Sequence, residues 1–254
     1  MRDPTERFSD RVADYVRSRP GYPPGLIDLL VESGELSPSH DVADVGSGTG
    51  KLALLFLDHG NRVYGVEPNR EMREAGEREL ASYPRYVSVD GRAEQTTLPG
   101  ESVDLIAAAQ AFHWFRPAEA RREFLRILKP GRSVLLVWND RDEQAGAFMR
   151  GYEQLLRDHG TDYGQVHHRR FGKAEIEEFY GGSQFSEHQL EYRQLFGRHG
   201  LHARMRSSSY VPAPGEPGHD ELMRGLDDLF DTHRRDDRVS FQYRTRVYLG
   251  RPAV

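Results

Sequence analysis

Short apolar runs alternate with amphipathic segments up to residue 140 of the chain. The apolar runs predict strands, and segments with apolar residues on one face predict helices. The predicted strands are 41–45, 62–67, 86–90, 103–109 and 133–138, and the predicted helices are 24–32, 51–59, 70–82 and a segment that begins at Pro117 and ends at Lys129-Pro130-Gly131. Strands that alternate with helices form parallel βαβ units, so the pattern predicts an α/β fold with a doubly wound sheet.

The pattern is less regular after residue 140. It predicts helices over 144–159, 173–180 and 220–233, and strands over 186–195 and 239–249. The glycine-rich stretch 140–182 separates the fifth predicted strand from the last two. An insertion of this kind is a common place for a loop that covers a substrate, so we predict a lid there.

Composition excludes several classes of protein. The chain has 254 residues and no cysteine, which excludes disulfides, zinc–thiolate sites, iron–sulfur clusters and a cysteine nucleophile. Its net charge of −5 disfavours a dedicated nucleic-acid binder. It has neither an apolar run near the length of a membrane span nor an apolar signal region at its beginning. We therefore expect a cytoplasmic globular protein that binds neither nucleic acid nor membranes.

The strongest local signal is a glycine loop between a predicted strand and a predicted helix, with the sequence Asp44-Val45-Gly46-Ser47-Gly48-Thr49-Gly50. Glycines adopt positive φ and let a ligand approach the backbone, and the helix that follows offers free N–H groups. Glu67 ends the next strand, where its two oxygens suit two ribose hydroxyls. A tight turn that binds nothing is the alternative, but the combination favours a nucleotide-type cofactor at the carboxyl end of the sheet.

The charge beside this loop distinguishes two classes of cofactor. Dinucleotide-binding loops have the spacing G-x-G-x-x-G, whereas this loop has G-x-G-x-G preceded by Asp44. A carboxylate at that place would repel a pyrophosphate and would attract an ammonium group. S-adenosylmethionine (SAM) carries an ammonium and a sulfonium but no phosphate. The residues therefore favour SAM over NAD.

Several segments resemble, in order and spacing, the class I SAM-dependent methyltransferases. The likeness is strong over about residues 8–140 and is nearest to a small-molecule branch, methyltransferase type 11-like, with Q-A-F-H-W-F after the fourth strand. The segments are FSDRVADYVRSRPGYP, DVGSGTG, VYGVEPN, AEQTTLPGESVDLI, AAAQAFHWF and ILKPGR. The resemblance implies a Rossmann-like, seven-stranded, mostly parallel sheet with an antiparallel last strand. It also implies four parts: a cofactor-covering segment (1–34), a SAM-binding core (35–139), a lid or substrate insertion (140–185) and a C-terminal part of the core (186–254).

The resemblance also assigns roles to single residues. The cofactor is SAM before transfer and S-adenosylhomocysteine (SAH) after it. The resemblance implies that it is held by the glycine loop, by Glu67 at the ribose, by residues that follow the later strands near the adenine, and by the N-terminal segment. These residues are Asp44, Gly46, Ser47, Gly48, Gly50, Glu67, Pro68, Ala93, Glu94, Gln110, Tyr15 and Arg19. The chain departs from many relatives at Arg92, where an aspartate often accepts a hydrogen bond from the adenine amine, because a guanidinium cannot accept one.

The segment after the fourth strand carries the candidate catalytic residues, His113 and Gln110. His113 has a pKa suited to removing a proton from a hydroxyl acceptor, although a structural histidine is an equally good interpretation. An ionised carboxylate acceptor would need orientation and no base. Trp114 and Phe115, with Tyr22, are candidates for binding the substrate. No metal site is predicted, since the adjacent His167 and His168 point apart.

These observations together predict a SAM-dependent methyltransferase that acts on a small-molecule acceptor, with oxygen favoured over carbon or nitrogen. One alternative is a SAM-binding protein of the same fold that transfers no methyl group. An NAD-linked oxidoreductase is disfavoured by Asp44. An RNA methyltransferase is disfavoured because the chain has no basic appendage.

Overall fold

The computed structural model describes residues 20–161, 163, 172–182, 185–208 and 210–253. Its strands are β1 (Asp41–Val45), β2 (Arg62–Val66), β3 (Tyr86–Val89), β4 (Val103–Ala109), β5 (Leu128–Arg141), β6 (Phe185–Phe196) and β7 (Val239–Gly250). Its helices are α1 (Gly25–Glu32), α2 (Lys51–His59), α3 (Arg70–Glu79), α4 (Pro117–Ile127), α5 (Ala147–His159), α6 (Lys173–Tyr180), α7 (Arg198–Arg206) and α8 (His219–His233), with a 3₁₀ turn over Phe112–Trp114. None of the helices in these ranges is long and apolar enough to cross a membrane.

The strands form one sheet in the order β3-β2-β1-β4-β5-β7-β6. Strands β1 to β5 pair in parallel, and β7 lies antiparallel between β5 and β6. The predicted seven-stranded, mostly parallel, doubly wound sheet is therefore confirmed. Parallel strands end at the same edge, so the residues after β1, β2, β4 and β5 meet at the carboxyl edge of the sheet.

Helices cover both faces of the sheet. On β4, Leu105 packs in one apolar cluster with α1 and α2, and Ile106 packs in another with α4 and α6. Successive residues point to opposite faces of a strand, so both clusters need apolar residues at every position. This explains the unbroken apolar sequence VDLIAAA of β4.

A third apolar cluster joins α5, α7 and α8 to the ends of β6 and β7. Its members include Tyr152 of α5, Leu201 of α7, Leu226 of α8 and Phe241 of β7. Helix α7 has no counterpart in the sequence predictions. Its sequence, RHGLHARMR, is too polar to show an apolar face, and tertiary packing buries Leu201 and its neighbours. The lid over 140–185 and the four-part division of the chain stay predictions.

The main correction concerns the boundary between α4 and β5. The helix ends at Ile127 and the strand begins at once, whereas the sequence predicted a strand over 133–138 only. Leu128 already pairs with Val103 of β4, and Asp140 and Arg141 pair with β7 at the other end. Strand pairing at both ends extends β5 through the Lys129-Pro130-Gly131 segment and past the last apolar residue.

Candidate active site

The glycine loop lies at the carboxyl end of β1, and backbone geometry requires its glycines. The φ angles of Gly46, Gly48 and Gly50 are +71°, +56° and +79°. A Cβ on Gly46 would lie 2.5 Å from the Cβ of Ala111, whereas one on Gly48 would meet only the mobile end of the Met72 side chain, at 3.4 Å. Gly46 is therefore fixed by protein packing, and Gly48 is the glycine with free space beside it.

Glu67 lies at the end of β2 and holds the loop in place. Its Oε2 accepts a hydrogen bond from the backbone N–H of Gly48 at 2.9 Å, and its Oε1 accepts one from Asn69 at 2.8 Å. Burial raises the pKa of this carboxyl above its ordinary value, against the effect of the two N–H donors. Each carboxylate oxygen can accept a further hydrogen bond. Glu67 thus orders the loop and keeps capacity for ribose hydroxyls.

Asp44 is buried under the loop, with 1% of its surface exposed. Its Oδ2 accepts a hydrogen bond from the backbone N–H of Ala53 at 3.1 Å, which satisfies a donor in the first turn of α2. Burial raises the pKa of Asp44 to about 7, and the nearby charge of Glu67 acts in the same direction. A group this buried acts on a ligand through its charge more than through direct contact.

Three buried hydroxyl groups surround the loop: Ser47 Oγ, Thr49 Oγ1 and Tyr86 OH. Within the described ranges none of them makes a hydrogen bond of good geometry, although the Tyr86 hydroxyl lies close enough to Ser47 to interact with it. Buried polar atoms are nearly always paired, so these three suit the polar atoms of a ligand. Ser47 is one of the predicted cofactor residues. Thr49 and Tyr86 were missed, because a strand tyrosine carries no local signal that its hydroxyl reaches the loop.

The residues predicted near the adenine lie beyond the ends of β2 and β3. Asn69 caps α3 by accepting a hydrogen bond from Met72 N–H, and Pro68 beside it is half-buried. Ala93 is buried, and Glu94 accepts a hydrogen bond from the backbone N–H of Arg116 at 2.7 Å. Glu94 is thus tied to the start of α4, which leaves its second oxygen as the acceptor for a ligand.

Gln110 directly follows β4 in a conformation that is uncommon for a residue with a side chain. Its φ is +54°, and its Nε2 donates a hydrogen bond to the backbone oxygen of Asn139 at 2.9 Å. Asn139, which the sequence analysis did not single out, donates from Nδ2 to Gly21 O at 2.8 Å. Strained backbone of this kind is concentrated at functional sites. Gln110 and Asn139 therefore link the ends of β4 and β5 to the segment that precedes α1.

The aromatic segment after β4 has three different environments. Phe112 is fully buried in the core, Trp114 is 39% exposed, and Phe115 is half-buried against Gly46. His113 is exposed to water in a recess whose desolvation lowers the pKa of the imidazole to about 4. Contact with water limits this shift, and the imidazole is mostly neutral at pH 7 in either environment. Phe115 therefore lies beside the glycine loop, and the His113 ring packs against Trp114, with ring centroids 4.8 Å apart.

The N-terminal candidates are only partly described. Tyr22 is 8% exposed and packs in the apolar cluster of α1 and α2, which gives it a packing role. Tyr15 and Arg19 lie outside the described residues. Among the described residues no group of three or more histidine, aspartate or glutamate side chains is arranged to hold a metal ion.

Comparison with known proteins identifies the core that carries this site. Residues 43–136 match a family described as methyltransferase domain. Residues 43–136 are a methyltransferase domain. This confirms the resemblance to the class I SAM-dependent methyltransferases, while the small-molecule branch stays a prediction. The matched residues include the glycine loop, Glu67 and the segment from Gln110 to Phe115. The family uses SAM as its methyl donor, in agreement with the predicted cofactor.

Relatives of the methyltransferase domain occur in bacteria and fungi. An uncharacterized methyltransferase of Mycobacterium tuberculosis is 41% identical over 145 residues, which are 57% of this chain and 57% of that protein. The chain thus matches a little over half the length of this relative. An uncharacterized methyltransferase of Schizosaccharomyces pombe is 27% identical over 246 residues, 95% of each chain.

Solved structures share the fold. A chain from Anaeromyxobacter dehalogenans has a TM-score of 0.60 at 23% identity, with 92% of this chain and 97% of that chain covered. A geranyl diphosphate methyltransferase in complex with SAM has a TM-score of 0.51 at 14% identity, with 91% and 85% covered. Identities this low establish the fold alone.

Proposed function

We propose that this protein is a SAM-dependent methyltransferase that acts on a small-molecule acceptor and transfers the methyl group to oxygen. The observation that carries the proposal is the pair of carboxyl groups at the glycine loop. Asp44 lies below the loop, and Glu67 bonds to the N–H of Gly48, which is the kind of donor that a dinucleotide loop offers to a pyrophosphate. The buried hydroxyls of Ser47 and Thr49 add partners for a polar, cationic ligand.

The residues present fit this cofactor. The charge of Asp44 would attract the ammonium group of SAM, Glu67 would accept from the ribose hydroxyls, and Pro68 with Asn69 would border the adenine. SAM supplies an electrophilic methyl group on a sulfonium. Gln110 and His113 lie at the end of β4 on the side of the site from which an acceptor would approach, so they are proposed to orient it.

The state of His113 favours a carboxylate over a hydroxyl as the methylated group. General-base catalysis works best when the pKa of the base lies near the working pH, and desolvation lowers the pKa of His113 below its ordinary value. A weaker base gives less help in removing a hydroxyl proton. A carboxylate is already ionised at pH 7 and needs only groups that hold it in line.

The first prediction tests the cofactor through Asp44. Binding a cation favours the ionised carboxylate, and the pKa of Asp44 without ligand is about 7. We therefore expect SAH to bind about tenfold more tightly at pH 8 than at pH 6, with proton release, and NAD to show no binding. Calorimetric titration in two buffers at each pH measures the affinity and the released protons.

The Asp44→Asn variant is the matched control, because its amide oxygen still accepts from the N–H of Ala53. It should bind SAH more weakly than the wild type at pH 8 and lose the pH dependence.

The free energy of unfolding of the Asp44→Asn variant should rise at pH 8, although its affinity for SAH falls. A carboxyl whose pKa is raised on folding stabilises the fold below its unfolded value near 3.8, and this stabilisation is lost as pH rises through about 7. The variant should therefore melt above the wild type at pH 8. A wild-type SAH affinity in this variant would contradict the proposal.

The second prediction tests the acceptor through His113. SAH release is measured with carboxylic acids, phenols and amines as acceptors, for the wild type and for His113→Ala. With a carboxylate acceptor we expect the variant to raise the acceptor KM about tenfold, to change kcat less than tenfold and to keep kcat flat between pH 6 and 8, because no proton leaves in the reaction. SAH affinity should not change.

A hydroxyl acceptor gives a different result in the same experiment. Loss of a general base lowers kcat by about 10²–10⁴-fold, and the wild-type rate then follows the ionisation of the base. That outcome would show that the methylated group is a hydroxyl and not a carboxylate. Absence of SAH release with every acceptor class, despite SAH binding, would favour a SAM-binding protein that transfers no methyl group.

A further inference from the structure

Buried charged and hydroxyl side chains gather beyond the carboxyl end of β5, outside the residues assigned above. We call this group the arginine cluster and define it by Arg141, Tyr152, Glu153, Arg204, Tyr210 and Tyr243. They come from β5, α5, α7, β7 and the segment before α8. Tyr152 and Tyr243 belong to the third apolar cluster, and Tyr210 packs against it. Nothing in the fold alone requires charges there.

Arg204 is a buried cation without a carboxylate partner. Only 3% of its surface is exposed, and within the described ranges its hydrogen bonds go to hydroxyls: Tyr243 at 3.2 Å from Nε, and Ser208 at 3.3 Å and Ser207 at 3.5 Å from Nη1. Its guanidinium carbon lies 5.4 Å from the centre of the Phe241 ring. A cation held only by hydroxyls and a ring keeps most of its desolvation penalty.

Arg141 adds a second cation and the first unsatisfied atom. Its Nη1 donates to Tyr210 OH at 2.7 Å, and its Nη2 donates to Tyr163 OH at 2.7 Å and lies 3.4 Å from Glu153 Oε2. Its Nε is buried with no hydrogen-bond partner among the described residues. Glu153 is shared, since its other oxygen lies 3.8 Å from Arg157. Counted over the residues that the structure describes, Arg141, Arg204 and Glu153 thus leave one buried positive charge unbalanced.

Tyr152 supplies the second unsatisfied atom. It is 1% exposed, and its hydroxyl has no hydrogen-bond partner in the part of the chain described here. A tyrosine hydroxyl is normally paired when buried. The unpaired hydroxyl of Tyr152 and the unpaired guanidinium N–H of Arg141 are both hydrogen-bond donors that lack an acceptor among the described residues. Together with the unbalanced charge, they indicate that an anion is the missing partner.

The cluster adjoins the candidate active site. Arg141 follows Asn139 by two residues on β5, so both side chains project from the same face of the sheet. Asn139 accepts a hydrogen bond from Gln110 and donates one to Gly21, and Arg141 pairs directly with Tyr243 of β7. In open α/β sheets, ligands bind at the carboxyl ends of the strands. The cluster therefore lies along β5 from Gln110, away from the glycine loop.

We propose that Arg141, Arg204 and Tyr152 bind an anchoring carboxylate of the acceptor, separate from the group that is methylated, which makes the acceptor an organic acid with a second polar group. The inference rests on the proposed function, because it names the substrate of that site. The guanidinium fork fits a carboxylate, and a single carboxylate balances the single positive charge. The rings of Tyr152, Tyr210 and Tyr243 suit an aromatic or apolar body beside the carboxylate.

The experiment compares benzoate with its uncharged isostere benzamide, in the presence of saturating SAH, by calorimetry and by the shift in melting temperature. The wild type should bind benzoate and not benzamide. Arg204→Met should weaken benzoate binding at least about tenfold, because a charged hydrogen-bonded partner is lost. Its melting temperature without benzoate should equal or exceed that of the wild type, since removing an uncompensated buried cation is neutral or stabilising.

Two further variants separate binding from folding. Tyr152→Phe removes only the unpaired hydroxyl, so it should keep the melting temperature and weaken benzoate binding severalfold. Arg224→Met is the control, because Arg224 lies on α8 with 73% of its side chain exposed and, among the described residues, bonds to Glu221 and to the backbone oxygen of Asp220 on its own helix. It should leave benzoate binding unchanged.

Each other outcome overturns the inference. If the wild type does not bind benzoate, or if inorganic phosphate binds there instead, the carboxylate assignment is wrong. Wild-type benzoate affinity in both Arg204→Met and Tyr152→Phe would give the cluster a purely structural role. SAH binding is measured separately. If the wild type does not bind SAH, the proposed function is contradicted. Benzoate titration without SAH then tests the arginine cluster independently.

Discussion

Gly46→Val is expected to abolish SAH binding and to destabilise the fold by about 2–6 kcal/mol. Two effects add. A β-branched residue at a φ of +71° is strained by about 1–3 kcal/mol. Its Cβ would also lie 2.5 Å from the Cβ of Ala111 and 3.5 Å from Phe115, and overpacking of this kind costs about 1–3 kcal/mol more. Urea unfolding measures the stability, and calorimetry measures the affinity for SAH.

Two glycine variants separate these effects. Gly131 has a φ of +76° and nothing within 4 Å of the Cβ position, so Gly131→Val isolates the backbone strain and should leave SAH binding intact. Gly48→Ala should lose only the backbone strain of its φ of +56°, about 1–3 kcal/mol, because its Cβ would meet only Met72, at 3.4 Å, yet it should weaken SAH binding by filling free space at the loop. A Gly46→Val protein with wild-type stability would show that Ala111 moves aside at no cost.

The strand, loop and helix around the glycines follow from the sequence because their signals are local. The predicted bounds 41–45 and 51–59 agree with β1 and α2, and 103–109 agrees with β4. Both faces of these strands are buried, which makes the apolar runs unambiguous. Glycines at positive φ give an equally local sequence signal, because no other residue adopts positive φ as easily.

The contacts that shape the acceptor side have no such local signal. Asn139 bonds to Gly21, 118 positions away in the chain, and Arg204 bonds to Tyr243, 39 positions away. The single residues look like ordinary surface polar residues in a chain with 30% charged residues. Tyr22 shows the reverse case, because a residue that the resemblance favours for substrate binding is buried with α1 and α2.

Glu67→Ala is expected to weaken SAH binding by about ten- to a hundredfold. The change removes hydrogen bonds from two ribose hydroxyls to a charged acceptor, a loss of about 1.5–3 kcal/mol. It also leaves the N–H groups of Gly48 and Asn69 without their present acceptor. Both losses lower the affinity, so a single affinity measurement does not distinguish ribose binding from loop ordering.

A cycle of two proteins and two ligands makes that distinction. Methylthioadenosine and its 2′-deoxy analogue are titrated into the wild type and into Glu67→Ala, with Glu74→Ala as the control on α3, where Glu74 forms a surface pair with Arg70. If Glu67 binds the ribose, removing the hydroxyl weakens binding to the wild type about tenfold and changes binding to Glu67→Ala little. Equal loss in both proteins would mean that Glu67 only orders the loop. The Glu74→Ala protein should match the wild type with both ligands, because an exposed pair on the helix surface contributes little to a site at the strand ends.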